Sequence, residues 1–134
     1  MGSRTLRNWL LFPLINSQDI NSRLDTVDFF KNEENILSES RGLLSNVGDL
    51  ERMLSKISTS RITPRELVRF KDSLITCDEM INYLDNQQKN KNLKNLLSNY
   101  SICSEITVDL ESKIEDDAPV NILKGGSIKS GVSN

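Results

Sequence analysis

The chain contains no histidine, which removes the commonest general base, the commonest metal ligand and every Ser-His or Cys-His nucleophilic arrangement. Other residues gather in patterns that invite chemistry. Gly125, Gly126 and Gly131 would suit a phosphate cradle, but a Walker-type loop ends in Gly-Lys-Ser/Thr and opens a helix whose amides face the phosphates. Lys124-Gly125-Gly126-Ser127 has neither feature, so these glycines read as a turn, where φ must be positive. Between Glu51 and Lys71 the cations Arg52, Lys56, Arg61, Arg65, Arg69 and Lys71 face only Glu51 and Glu66. That surplus has the charge to meet phosphates, yet a solvated helix face, with Arg65 and Arg69 paired to Asp72, explains it better.

Asp109, Glu111, Glu115, Asp116 and Asp117 crowd together with only Lys113 among them. They lack the ligand spacing and central glycine of a calcium loop and read as a solvated helix end. Cys77 and Cys103 stand apart without a CxxC pair; they read as core-lining thiols in a reducing compartment. Trp9 shares an apolar stripe with Leu6 and Leu10 and reads as a core or interface anchor, not a base-stacking platform. No catalytic, cofactor-binding or metal-ligating residue is expected.

The elements that would hold these residues are helical. A chain of 134 residues accommodates one domain of ordinary size. Its 40 Val, Ile, Leu and Phe residues are enough for a folded core. The net charge of −2 gives no global attraction to nucleic acid or an anionic membrane. The longest apolar runs, such as Trp9-Leu10-Leu11-Phe12, are far short of the roughly 20 residues of a membrane span. Apolar residues recur at spacings of three and four, the helical period. Leu6, Trp9, Leu10 and Leu14 form a first face that Pro13 ends or bends. Asn16 or Ser17 can cap a second helix bearing Ile20, Leu24, Val27 and Phe30. A third stretch carries Ile36, Leu37, Leu43 and Leu44; Gly48 breaks it, and Asp49 starts a short helix with Leu50, Met53, Leu54 and Ile57.

Thr63-Pro64-Arg65-Glu66 is the clearest helix start: Thr63 suits the N-cap, Pro64 the first turn, and Glu66 reaches back to the cap amide. The helix it opens should run about 20 residues, or roughly 30 Å. The polar run 87–92 reads as a loop, with helical periodicity resuming at Leu93, Leu96, Leu97 and Tyr100, and again at Ile102, Ile106, Leu110 and Ile114. The helical body, residues 1–117, should end near Glu115, leaving 118–134 as an extended glycine-rich segment. The fold class expected is all-α, a multi-helix bundle-like core with a short extended C-terminal segment.

The ordered motifs resemble a known family. Met1-Gly2-x-Arg4-x-Leu6-x-x-Trp9-Leu10-x-x-Pro13-Leu14 and Ile20-x-x-Arg23-Leu24-Asp25-x-Val27 are similar to the start of the core (lever) domain of the MutS family of mismatch-recognition ATPases. Asp49-Leu50-Glu51-Arg52-x-Leu54 and Arg61-x-Thr63-Pro64-Arg65-Glu66-Leu67 resemble that family's central signature. Asp117-x-Pro119-Val120 and Gly125-Gly126-x-Ile128-Lys129-x-Gly131 look like its lead-in to the long lever helix. The resemblance covers residues 1–134 and implies a partial lever domain that couples a nucleotide site to a DNA clamp.

It also implies ATP and Mg²⁺ for a full-length parent, neighbouring connector, clamp and ATPase domains, mismatched double-stranded DNA, a homodimeric parent, MutL as a partner and a cytoplasmic location without a membrane. The family's mismatch wedge is Phe-x-Glu, and none of Phe12, Phe29, Phe30 or Phe70 begins one. The resemblance therefore carries no catalytic or mismatch-contacting residue onto this chain. It does imply structural roles, with Asp49, Glu51 and Arg52 as ion-pair partners fixing the short helix. The alternative is a stand-alone helical interaction module that binds a partner helix in an apolar groove.

Overall fold

Helices begin where side chains can satisfy the first free amides. In the computed structural model, which describes residues 2–87 and 91–132, these are α1 (Ser3–Leu11), α2 (Ser17–Asn32), α3 (Glu34–Asn46), α4 (Leu50–Ser58), α5 (Pro64–Gln87), α6 (Lys91–Leu97) and α7 (Ser104–Lys113), followed by a single 3₁₀ turn, Ile122–Lys124. The centre of the polar run 87–92, the end of the segment 118–134 and the side chain of Leu96 lie outside the described residues. Asn16 caps α2 by accepting the Gln18 amide at 2.8 Å, and Asp49 caps α4 by accepting the Arg52 amide at 3.1 Å. At α5 the capping box is complete. The Glu66 amide donates to Thr63 Oγ1 at 3.3 Å, and the Thr63 amide donates back to Glu66 Oε2 at 3.1 Å. The chain is all-α: among the described residues there is no strand, only an antiparallel bridge between Ile114 and Ile128.

α5 organises the rest. Its 24 residues make a rod of about 36 Å that touches α3, α4, α6 and α7, while α2 packs on α3 and α6. Two small apolar clusters lie along it. Met53, Phe70 and Leu74 form one, flanked by Leu67, Cys103 and Leu110; Ile36, Leu84 and Leu93 form the other, flanked by Phe29 and Phe30. α5 thus supplies buried residues to both clusters, with α4 and α7 meeting at Phe70 and Leu74 and α3 and α6 meeting at Leu84.

Several faces differ from the periodic reading. α5 is longer than 20 residues, extending through Gln87 into the polar run. α1 and α2 bury no residue; Leu24 and Val27 are exposed, and α2 reaches the core through Phe29 and Phe30, packed edge to face at 5.3 Å. Trp9 is 45% exposed and so is not a core anchor. On α7 the inward face is Cys103, Thr107, Leu110 and Ile114, and Ile106 points out. A face shifted by one residue at its start fits because α7 begins only at Ser104, after Cys103 has docked on α5. The last α-helix closes at Lys113, short of Asp117, because Ile114 and Glu115 turn aside to pair with residues 127 and 128. The segment beyond is not wholly extended: the 3₁₀ turn leads into Gly125 and Gly126, both at φ 69°, a region that costs a residue with a Cβ.

Candidate functional site

The residues of interest assemble as polar joints between helices. Arg4, in the first turn of α1, forks its guanidinium between the carboxylates of Asp49 and Glu51 at the start of α4. The hydrogen bond from Arg4, then that from the Arg52 amide, holds the Asp49 carboxyl below the usual range; the same contact raises the Arg4 guanidinium. Arg52 acts mainly through its backbone amide, its charge adding a smaller pull on Asp49, and its side chain makes no ion pair among the described residues. Arg23 of α2 lies over the Trp9 ring at 3.6 Å from its centroid, a cation–π contact that ties α1 to α2. Asp25 accepts from Asn92 at 3.2 Å and links α2 to α6. Thr63 and Pro64 sit at the head of α5, and Arg61, exposed beside them, donates its amide to the Lys56 carbonyl at 2.8 Å.

Other joints lie on α5 itself. Lys56 of α4 bonds Glu66, whose carboxyl falls to about 2 through that bond, and secondarily through the Thr63 amide. Ser73, only 2% exposed, accepts the Gly48 amide at 3.0 Å while its hydroxyl donates to the Arg69 carbonyl at 2.7 Å. A Cβ on Gly48 would meet Ser73 Oγ at 3.2 Å and Met53 Cε at 3.0 Å, so a side chain where the α3–α4 connection crosses α5 requires these neighbours to give way. Asp78 accepts the Tyr100 hydroxyl at 2.7 Å and the Cys103 amide at 3.2 Å, supplying from α5 the cap that α7 lacks locally. Lys71, buried, donates to Asp116 at 2.7 Å. Asp72 lies 3.5 Å from Lys71 and does not pair with Arg65 or Arg69. The basic stretch is thus partly neutralised by Glu66 and Asp116, and Asp116 of the acidic run is engaged rather than free.

Ser73, Asp78, Tyr100 and Lys71 are joints that sequence reasoning missed. One signal was available for Ser73: a small polar residue between Phe70 and Leu74 on a core-facing turn. The joints are satisfied ionic and hydrogen-bonded pairs, not reactive ones. Burial, aided by the bond to Asp78, pushes the Tyr100 hydroxyl well above its ordinary value, and burial likewise raises the Cys77 thiol. Both stay protonated near neutral pH. Among the described residues no three acidic, cysteine or histidine groups are placed to hold a metal ion, and no helix is long and apolar enough to cross a membrane.

The family profile of MutS domain III matches residues 1–130. The chain belongs to the MutS domain III family. It is 36% identical over 132 residues to the DNA mismatch repair protein MutS of Bacteroides fragilis, 98% of this chain and 15% of that protein. Against the protein of the same name from Christiangramia forsetii it is 36% identical over 134 residues, 100% of this chain and again 15% of the relative. The corresponding protein of Methanosarcina acetivorans is 35% identical over 136 residues, covering 99% and 15%. The chain therefore spans about 15% of the length of the curated relatives it matches. The helical architecture is that of a MutS domain III, as the ordered motifs implied.

Proposed function

We propose that this chain is the domain III segment of a MutS-type DNA mismatch repair protein, serving as a lever between its DNA clamp and its ATPase domain, with no chemistry of its own. The observation that carries the reading is α5: one unbroken rod of 24 residues contacts α3, α4, α6 and α7, so displacement of one neighbour is felt by all. Transmission of this kind requires stiff elements with discrete arrangements. The remaining connector, clamp and ATPase domains of the parent supply the contacts to mismatched double-stranded DNA and the site for ATP and Mg²⁺. The parent is a cytoplasmic homodimer that works with MutL. Exposed apolar side chains on α1 and in the turn after it, Leu10 at 75% and Ile15 at 97%, support contact with further protein.

The test softens the rod without touching its joints. Asn82 and Asp85 are exposed on α5; glycine at each costs a helix interior about 1 kcal/mol relative to alanine. In the full-length protein, Asn82→Gly with Asp85→Gly should reduce the change in ATP turnover caused by mismatched DNA, leaving DNA-free turnover intact. The alanine pair should retain the response. Equal responses in the two pairs refute the lever reading.

A second reading, the stand-alone interaction module, is favoured by one feature: a groove of 240 Å³ lined by Trp9, Pro13, Leu14, Ile20, Arg23 and Leu24. It predicts that the chain by itself captures an amphipathic helix in that groove.

A further inference from the structure

Residues 114–129 return along the end of α7 as a strap. The Glu115 amide donates to the Ser127 carbonyl at 3.1 Å, the Lys129 amide donates to the Lys113 carbonyl at 2.9 Å, and Ile114 and Ile128 bridge between them. These bonds fix the strap to α7 but leave its position on α5 open. Toward the head of α5 it faces an apolar groove of 360 Å³, lined by Ile62, Leu67, Leu110, Ile114, Ile128 and Val132. Apolar contact across such a gap is non-directional and sets no register.

Among the described residues one directional tie crosses from α5 to the strap. Lys71 is 6% exposed, and its ammonium donates to Asp116 at 2.7 Å. The neighbouring Asp72 is farther away, at 3.5 Å. The geometry is asymmetric: the lysine side chain is 7% exposed and the aspartate 71%, so the cation is built into the rod and the strap brings the anion to it. Burying an ammonium costs desolvation that a single carboxylate offsets only in part, and a well-packed apolar residue at such a position is often as stable. Stability does not explain Lys71. Definite placement does, since an ion pair with a hydrogen bond at its centre fixes distance and direction together.

The surroundings give that placement a use. Within one turn and its flanks α5 is joined to three other parts: Ser73 holds Gly48 at the α3–α4 connection, Phe70 and Leu74 pack with Met53 of α4 beside Cys103 and Leu110, and Lys71 holds Asp116. We propose that Lys71 is a positioning residue that clasps the C-terminal strap to α5 through Asp116, so that movement of the rod is passed to the backbone beyond residue 129. This rests on the lever reading above for its purpose, but the clasp itself has an independent readout.

Hydrogen exchange is followed in the full-length protein carrying Lys71→Met, Asp116→Asn or the conservative Asp116→Glu. Lys71→Met fills the same space, so the fold should survive. Peptides covering 113–130 should exchange about tenfold faster in Lys71→Met and Asp116→Asn, the order expected for losing a hydrogen bond to a charged group, with peptides from 64–87 unchanged and Asp116→Glu close to the parent. The same two variants should lose the mismatch-dependent part of ATP turnover. Unaltered exchange at 113–130, or faster exchange that extends equally to peptides from 64–87, overturns the clasp. Locally faster exchange with an intact mismatch response overturns the transmission. If the unsubstituted protein shows no response to mismatched DNA, the lever reading fails instead, and the exchange data still decide whether Lys71 holds the strap.

Discussion

Removing one hydroxyl tests whether the α3–α4 connection is fastened to the rod. In Ser73→Ala the Gly48 amide loses its acceptor, 3.0 Å away on a residue that is 2% exposed. The Arg69 carbonyl loses only a second donor, because it keeps its backbone partner within α5. The cost is therefore that of one partly buried unpaired N–H, up to about 1–3 kcal/mol, with little added for the small space vacated. For a chain of this size each kcal/mol moves the midpoint of thermal unfolding by roughly 4 °C. Calorimetry or denaturant titration measures the loss, and the exchange rate of the Gly48 amide should rise with it. A double-mutant cycle sharpens the reasoning. A Cβ at Gly48 sits 3.2 Å from Ser73 Oγ, so Gly48→Ala should be less costly in the Ser73→Ala background, with a coupling of at least ~0.5 kcal/mol. Additive losses, or a Gly48 amide equally protected without the hydroxyl, refute the account.

Two further outcomes follow from the joints. The Glu66 carboxyl is held at about 2 against its usual 4.5; its contribution is complete above the higher value and disappears as pH falls toward the lower one. Unfolding midpoints measured from pH 5 downward should therefore fall less steeply in Glu66→Gln than in the parent, and parallel curves would contradict the assignment. Trp9 is the sole tryptophan, so Arg23→Ala should redden its emission and raise its quenching by acrylamide, with a stability change of about 1 kcal/mol or less; an unaltered spectrum would show that Arg23 does not cover the ring.

What the sequence discloses depends on how far apart the partners are. Asn16, Asp49 and the Thr63–Glu66 box cap their helices through residues two or three positions away, and such pairs can be read directly from spacing. Ser73 and Gly48 are 25 residues apart, Lys71 and Asp116 45, and Arg4 and Asp49 45; no local rule joins them. Family motifs pointed to Arg4, Asp49 and Glu51 as structural but not to their pairing with one another. Local spacing also misled. Arg69 and Asp72 have the separation of a helical pair, yet Asp72 leans toward Lys71, whose buried ammonium has the greater need of a counter-charge. Periodicity established that α1 and α2 are helices without showing whether their apolar faces are covered, because amphipathicity records an available face and not its occupant.

The division of labour between apolar and polar contacts accounts for the architecture. Among the described residues each cluster on α5 has three buried members, and apolar burial resists separation without selecting one relative position. The polar joints make that selection, and they are unequally strong. Ser73 is buried where water competes poorly, Lys71 is buried but pairs with an exposed carboxylate, and Arg4 and both its partners are exposed, where salt and solvent weaken such pairs. α1 buries no residue and is tied by Arg4 at its first turn and by Trp9 against Arg23. A structure arranged in this way has a fixed centre, where α5 meets the α3–α4 connection and the strap, and one helix held chiefly by exchangeable contacts. Displacing α1 therefore breaks only exposed contacts to α4 and α2, whereas displacing α5 from the α3–α4 connection breaks a buried one.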